Sequence, residues 1–162
     1  MMVMFSVFIV KGKQNKFIVS GSPDSNNITS YKDHILKHDV TCIVRLCEPL
    51  YDETVFTENG VVVVDMYLDD GNIPTHEQLC RWTEITKEHK NISVHCVAGL
   101  GRSPTLVCFT LIVNDGKDPY DAIGNVRSVI KHSLNRRQVN FLMNVKRPKY
   151  NTKYKPCECV IC

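Results

Sequence analysis

Long apolar runs are missing from this sequence. No stretch reaches the roughly 18 apolar residues that a membrane-spanning helix needs, so no segment is expected to cross a bilayer. Charge of one sign is also scarce: 20 Lys and Arg against 17 Asp and Glu leave +3 over 162 residues. That balance excludes the broad basic footprint of a general nucleic-acid binder. Of the eight cysteines, Cys42, Cys47, Cys80, Cys96 and Cys108 fall singly, while Cys157, Cys159 and Cys162 cluster at the end. Such scatter excludes a small disulfide scaffold, and two C-x-x-C pairs for a structural zinc are lacking. A cytosolic chain with mostly reduced thiols is expected. The opening "MMVMFSVFIV" lacks a basic start and a small-residue cleavage site, and Lys11, Lys13 and Lys16 follow it. It is read as a first strand and not as a signal sequence. No internal repeat is visible.

What remains is an ordinary globular composition, 43% apolar and 23% charged. It predicts one domain over residues 1–148 and a basic flexible tail over 149–162. Met4 to Val10 and Lys16 to Ser20 read as a hairpin with Gly12 and Asn15 in its turn. Val40 to Leu46, Val61 to Asp65 and Asn91 to Cys96 are short β-branched or apolar runs that predict buried strands. Helices are expected at Ile28 to His38, over "PTHEQLCRWTEITKEH", from Pro104 to Val113, from Pro119 to Ile130, and from Asn135 to Val145 with Asn135 as N-cap. Pro104 to Val113 is apolar on every side, which suits a central buried helix. Strands alternating with helices imply an α/β fold with a mostly parallel sheet and helices on both faces.

The stretch "SVHCVAGLGRSP", Ser93 to Pro104, carries the chemistry. A strand end, Cys96, a loop with glycines and a helix start follow one another. The helix start offers unpaired N–H groups and a positive dipole end. Gly99 and Gly101 let the loop through Val97, Ala98 and Leu100 curl, so that its N–H groups can face an anion. Arg102 adds a planar fork for two phosphate oxygens. Cys96 sits where the same fields favour its thiolate, so a lowered pKa and a nucleophile at neutral pH are expected. The spacing builds a phosphate cradle with a thiolate at its base. The nucleotide P-loop differs, with lysine in place of Arg102 and no cysteine nucleophile. His95 is read as orienting the Cys96 environment, the alternative being a plain buried histidine. Neither a metal nor a cofactor is expected.

"HCVAGLGRSP" resembles the protein tyrosine phosphatase loop, His-Cys-five residues-Arg-Ser/Thr. "VHCVAGLGR", "VRLCEPLYDET" (Val44 to Thr54), "DDG" (Asp69 to Gly71) and the terminal box carry a fuller resemblance. It is to the phosphatase of regenerating liver group, small prenylated dual-specificity-like enzymes, and extends from about Phe17 to Cys162. The resemblance implies the single-domain tyrosine phosphatase fold and a phosphocysteine mechanism. Cys96 would attack phosphorus while Arg102 and the loop amides hold the equatorial oxygens. Asp70 would serve as general acid and then base; Asp69 competes for that role, and the residues alone favour neither. Cys47 would be a redox partner forming a disulfide with Cys96, the alternative being a core cysteine.

The resemblance further implies phosphoprotein substrates, family-type oligomerisation, and association with cyclin M-type magnesium transporters, for which a weakly active binding module is the alternative function. Val97, Ala98 and Leu100 stand where loops that favour inositol phosphates carry lysines, so phosphotyrosine or phosphoserine/threonine on protein is preferred, with lipid left open. An RNA 5′-phosphatase would want a basic cleft, and charge outside the tail is scattered. Three departures from the group stand out. Ser103 replaces its usual alanine, and a hydroxyl there assists sulfur departure in other tyrosine phosphatases, so faster turnover is expected. "MYL", Met66 to Leu68, replaces Trp-Pro-Phe, so the acid loop is expected to close differently. "SVIKHSLNRR", Ser128 to Arg137, replaces a basic cluster on which trimerisation and partner contacts bear. In the tail, Cys159 heads a C-a-a-X box behind Lys146, Arg147, Lys149, Lys153 and Lys155. Prenyl group and basic tract together predict an anchor at the cytoplasmic face of membranes. Cys157 is a second lipid site or nothing.

Overall fold

A computed structural model of the chain describes residues 6–146. The terminal box with Cys159, Cys157, and the basic tract from Arg147 onward lie outside the described residues.

Five strands form one sheet: β1 (Val7–Lys11), β2 (Lys16–Ser20), β3 (Cys42–Arg45), β4 (Val62–Asp65) and β5 (Asn91–His95), in the spatial order β1-β2-β5-β3-β4. Only the β1–β2 hairpin is antiparallel; β2, β5, β3 and β4 run parallel. The expected mostly parallel sheet is present. Among the described residues six helices follow in order: α1 (Ile28–Lys37), α2 (Thr54–Thr57), α3 (His76–Glu88), α4 (Arg102–Val113), α5 (Pro119–Val129) and α6 (Arg136–Met143).

Alternation along the central strands explains both layers. Phe17, Val19, Cys42, Val44, Ile92 and Val94 belong to the larger apolar cluster, shared with α3 to α6. The intervening Ile18 and Ile43 belong to a smaller cluster with Tyr31 and Ile35 of α1 and Phe56 of α2. Every residue of α4 is buried, as expected of a helix whose stretch from Pro104 to Val113 is mostly apolar on every side. Trp82 of α3 stacks on Phe17 at 5.8 Å between ring centroids, and its Nε1 donates to Thr110 Oγ1 at 2.7 Å. Ser93, a polar residue in the middle of β5, pairs with the Tyr31 hydroxyl at 2.7 Å, so its burial leaves no orphan group.

The hairpin turn expected from Gly12 and Asn15 closes with Gly12 N donating to Asn15 O at 2.8 Å. Boundaries moved by a few residues elsewhere: α3 begins at His76 behind Thr75, and α4 already at Arg102. The one-turn helix α2 was not expected. Four parallel strands end at the same edge of the sheet. There the segments following β2, β3, β4 and β5 converge, which is where open α/β sheets bind ligands.

Candidate active site

Cys96 directly follows β5 and is 2% exposed. Burial alone pushes its thiol up. The Ser103 hydroxyl, the Ser103 and Gly99 amides and the Arg102 charge outweigh that, leaving the thiol below its ordinary value. The Ser103 oxygen is buried and has no partner of regular hydrogen-bond geometry, which leaves its hydroxyl to turn to the sulfur. Gly99 is required for steric reasons. Its φ is +72°, and a Cβ there would lie 2.7 Å from the Ser20 backbone.

Arg102 opens α4 and is 4% exposed. Its Nη1 donates to the carbonyls of Leu68 at 2.9 Å and Leu46 at 3.3 Å. Those two carbonyls belong to segments that extend the parallel ladder past β3 and β4, since Leu46 N donates to His95 O and Leu68 N to Leu46 O. The end of the sheet thus fixes the guanidinium plane. Nη2 meets Asp70 Oδ1 at 3.4 Å, and Nε is buried with no protein partner. Asp70 itself is 93% exposed in its side chain. Among the described residues no ion pair to Arg102 comes from Asp69, whose carbonyl instead closes a turn with Asn72 N at 3.1 Å. Of the two candidates, Asp70 is the one brought to the cradle.

Val97, Ala98 and Leu100 turn outward while Gly99 is buried and Gly101 half-buried. Cys47 and Cys96 are both free, buried thiols. Burial pushes the Cys47 thiol up, with the Ser22 hydroxyl and the Arg102 charge working against that rise.

A second set of groups supports the loop from the other face of the sheet. His95 is fully buried and pairs through Nε2 with Tyr51 Oη at 2.7 Å. Burial, and secondarily the Arg45 charge, bring its pKa down to about 3. The imidazole is therefore neutral at physiological pH, which suits an orienting role and excludes a charged one. Arg45 lies over the Tyr51 ring at 5.1 Å and pairs with Asp65 through both Nε and Nη2. This Arg45–Tyr51–His95 arrangement was not anticipated from the sequence, although "VRLCEPLYDE" holds both Arg45 and Tyr51. Tyr51→Phe would leave His95 Nε2 unpaired in a buried place. The expected cost is about 1–3 kcal/mol, read as a fall in Tm of several degrees in thermal denaturation.

A low-pKa thiol held by a serine and loop amides, an arginine locked beside it and an exposed aspartate on that arginine form the constellation of a cysteine phosphatase. Comparisons with known proteins agree. The family described as "Tc-R-P: Polymorphic toxin system, DSP-PTPase phosphatase" matches residues 20–117. The Dictyostelium discoideum "Probable protein tyrosine phosphatase type IVA B" is 37% identical over 149 residues, 87% of this chain and 90% of that protein. The human "Protein tyrosine phosphatase type IVA 3" is 32% identical over 152 residues, 90% of this chain and 87% of its own. Among solved structures, a protein tyrosine phosphatase from Leishmania major superposes with a TM-score of 0.79 at 28% identity, covering 88% of this chain and 99% of that one. With loop, fold and relatives pointing the same way, the chain belongs to the type IVA, or PRL, family of protein tyrosine phosphatases.

Proposed function

We propose that this phosphatase hydrolyses phosphotyrosine on proteins through a phosphocysteine at Cys96. The observation that carries this reading is Cys96, buried at the base of the loop that Arg102 closes, with its thiol held below its ordinary value. The sulfur anion attacks phosphorus, and the bond from phosphorus to the ester oxygen breaks. Arg102 and the loop amides stabilise the charge that spreads over the equatorial oxygens. Asp70 gives its proton to the departing phenol oxygen. In the second step the Asp70 carboxylate takes a proton from water, whose oxygen attacks phosphorus. Sulfur then leaves as the thiolate, helped by the Ser103 hydroxyl.

The rim supports a singly phosphorylated aromatic ester. Val97 is 66% and Leu100 40% exposed on the phosphate loop, and Tyr67 is 52% exposed beside the acid loop. These apolar surfaces suit a phenyl ring and flanking side chains, and the loop carries no cation besides Arg102 for further phosphates. The family resemblance and two free, buried thiols support a reversible disulfide between Cys47 and Cys96 under a two-electron oxidant such as a peroxide. Anchoring through Cys159 and the basic tract rests on the sequence of the tail.

The test separates the two aspartates. Asp70→Asn is expected to lower kcat/KM toward phenyl phosphate by about 10²-fold, and much less toward a nitro-activated aryl phosphate, whose leaving group needs no proton. Asp69→Asn should change either rate little. The reverse pattern would transfer the acid role to Asp69, and release of phosphate from inositol polyphosphates in preference to phosphotyrosyl peptides would overturn the substrate class.

A further inference from the structure

Two helices start with the same device. At α3, Thr75 Oγ1 accepts from Gln78 N at 3.3 Å, while Gln78 Oε1 accepts from Thr75 N at 2.8 Å. At α6, Asn135 Oδ1 accepts from Gln138 N at 2.8 Å, while Gln138 Oε1 accepts from Asn135 N at 3.0 Å. A glutamate in the third position completes such a capping box equally well. Glutamine differs by carrying a spare amide donor.

Here the spare donors reach one segment. Gln78 Nε2 donates to Tyr67 O at 2.7 Å, and Gln138 Nε2 to Asn72 O at 3.2 Å. The Asn135 side-chain amide donates to Gly71 O at 2.9 Å. The loop that carries Asp69 and Asp70 is thus held on both sides by three amides from two helix starts. The α6 end also touches the phosphate loop: Leu134 N donates to Leu100 O at 2.8 Å, and the buried Gln138 amide lies 3.1 Å from where a Gly101 Cβ would stand. Reaching this arrangement forces His132 and Leu134 into left-handed backbone, at φ 62° and 67°, which side chains tolerate poorly. Arg127 braces the turn, donating to the carbonyls of Ser133 and Leu134 at 3.0 Å each.

We propose that Gln78, Asn135 and Gln138 are positioning residues that clasp the acid loop to the phosphate loop and so set where Asp70 delivers its proton. The Asp70 side chain is 93% exposed and, among the described residues, its ion pair is with Arg102 at 3.4 Å, so its place depends on the backbone that follows and precedes it. The proposal rests on Asp70 being the general acid. It also gives a use to Ser128–Arg137, where the chain departs from the group's basic cluster.

Gln78→Glu and Asn135→Asp keep both capping boxes and place a favourable negative charge at each helix start, but remove the donors to Tyr67 and Gly71. The double variant should therefore melt no lower than the wild type. Its kcat/KM toward phenyl phosphate should fall about tenfold or more, with little change toward a nitro-activated aryl phosphate. In an Asp70→Asn background the same pair should cause no further loss. Gln78→Met removes the donor without adding charge and should show the same substrate-dependent direction. Should the double variant melt lower, Gln78→Glu alone carries the test, because Gln78 is half-exposed. Unchanged rates, or equal loss on both substrates, in a variant that melts normally would overturn the clasp while leaving Asp70 in its role. An Asp70→Asn variant without substrate dependence would overturn the acid assignment and the clasp with it.

Discussion

Arg102→Lys is expected to lower kcat/KM toward aryl phosphates by about 10³-fold although it keeps the positive charge. The native guanidinium does two jobs at once. One nitrogen serves the Leu46 and Leu68 carbonyls, which orient the plane from the sheet, and the remaining edge, buried Nε together with the Nη2 that meets Asp70, faces the phosphoryl oxygens. An ammonium is a point charge with no fork, so it cannot serve both sets of acceptors in these directions. The loss corresponds to about 4 kcal/mol of transition-state stabilisation, and steady-state kinetics of the purified variant measures it. A fall of only a few-fold would show that charge alone suffices, and that the orientation fixed by Leu46 and Leu68 is irrelevant.

Cys96→Ser should abolish turnover, a loss of at least about 10⁴-fold. A hydroxyl is far harder to ionise than a thiol, and a cradle able to hold a sulfur anion does not make an alkoxide at neutral pH. The amides and Arg102 remain, so the variant should still bind phosphotyrosyl peptide. The native thiol also has a pH signature. Its folded value lies below its ordinary one. The thiolate therefore stabilises the fold at pH above the unfolded value, and that contribution is lost as pH falls through the folded value. Alkylation of Cys96 by iodoacetamide should accordingly persist to lower pH than that of an ordinary thiol.

The phosphate loop was legible in sequence because its chemistry is local. Cys96, Gly99, Gly101 and Arg102 lie within one turn between a strand and a helix, and each residue type has a separate physical reason to be there. Asn135 as N-cap and the buried, mostly apolar α4 were readable for the same cause. The helix α2 was missed because a single turn, Thr54–Thr57, is too short to show a helical period. Its start did carry a signal, the Asp52 carboxylate accepting from Thr54 N at 2.9 Å. The supports of the site were not readable. Asn135 meets Gly71, and Tyr51 meets His95, across distances in the chain that no local pattern spans. Which aspartate faces Arg102 likewise needed the fold, since adjacent residues in a turn look alike until Asp70 is seen against the guanidinium.

The most direct test is rapid quenching of the enzyme with a labelled aryl phosphate, followed by identification of the residue that bears phosphorus. A sulfur nucleophile requires label on Cys96 within the first turnover, none in Cys96→Ser, and more in Ser103→Ala, where the sulfur leaves more slowly. Full turnover with no phosphorylated Cys96 in either the wild type or Ser103→Ala, or label on another residue, would contradict it.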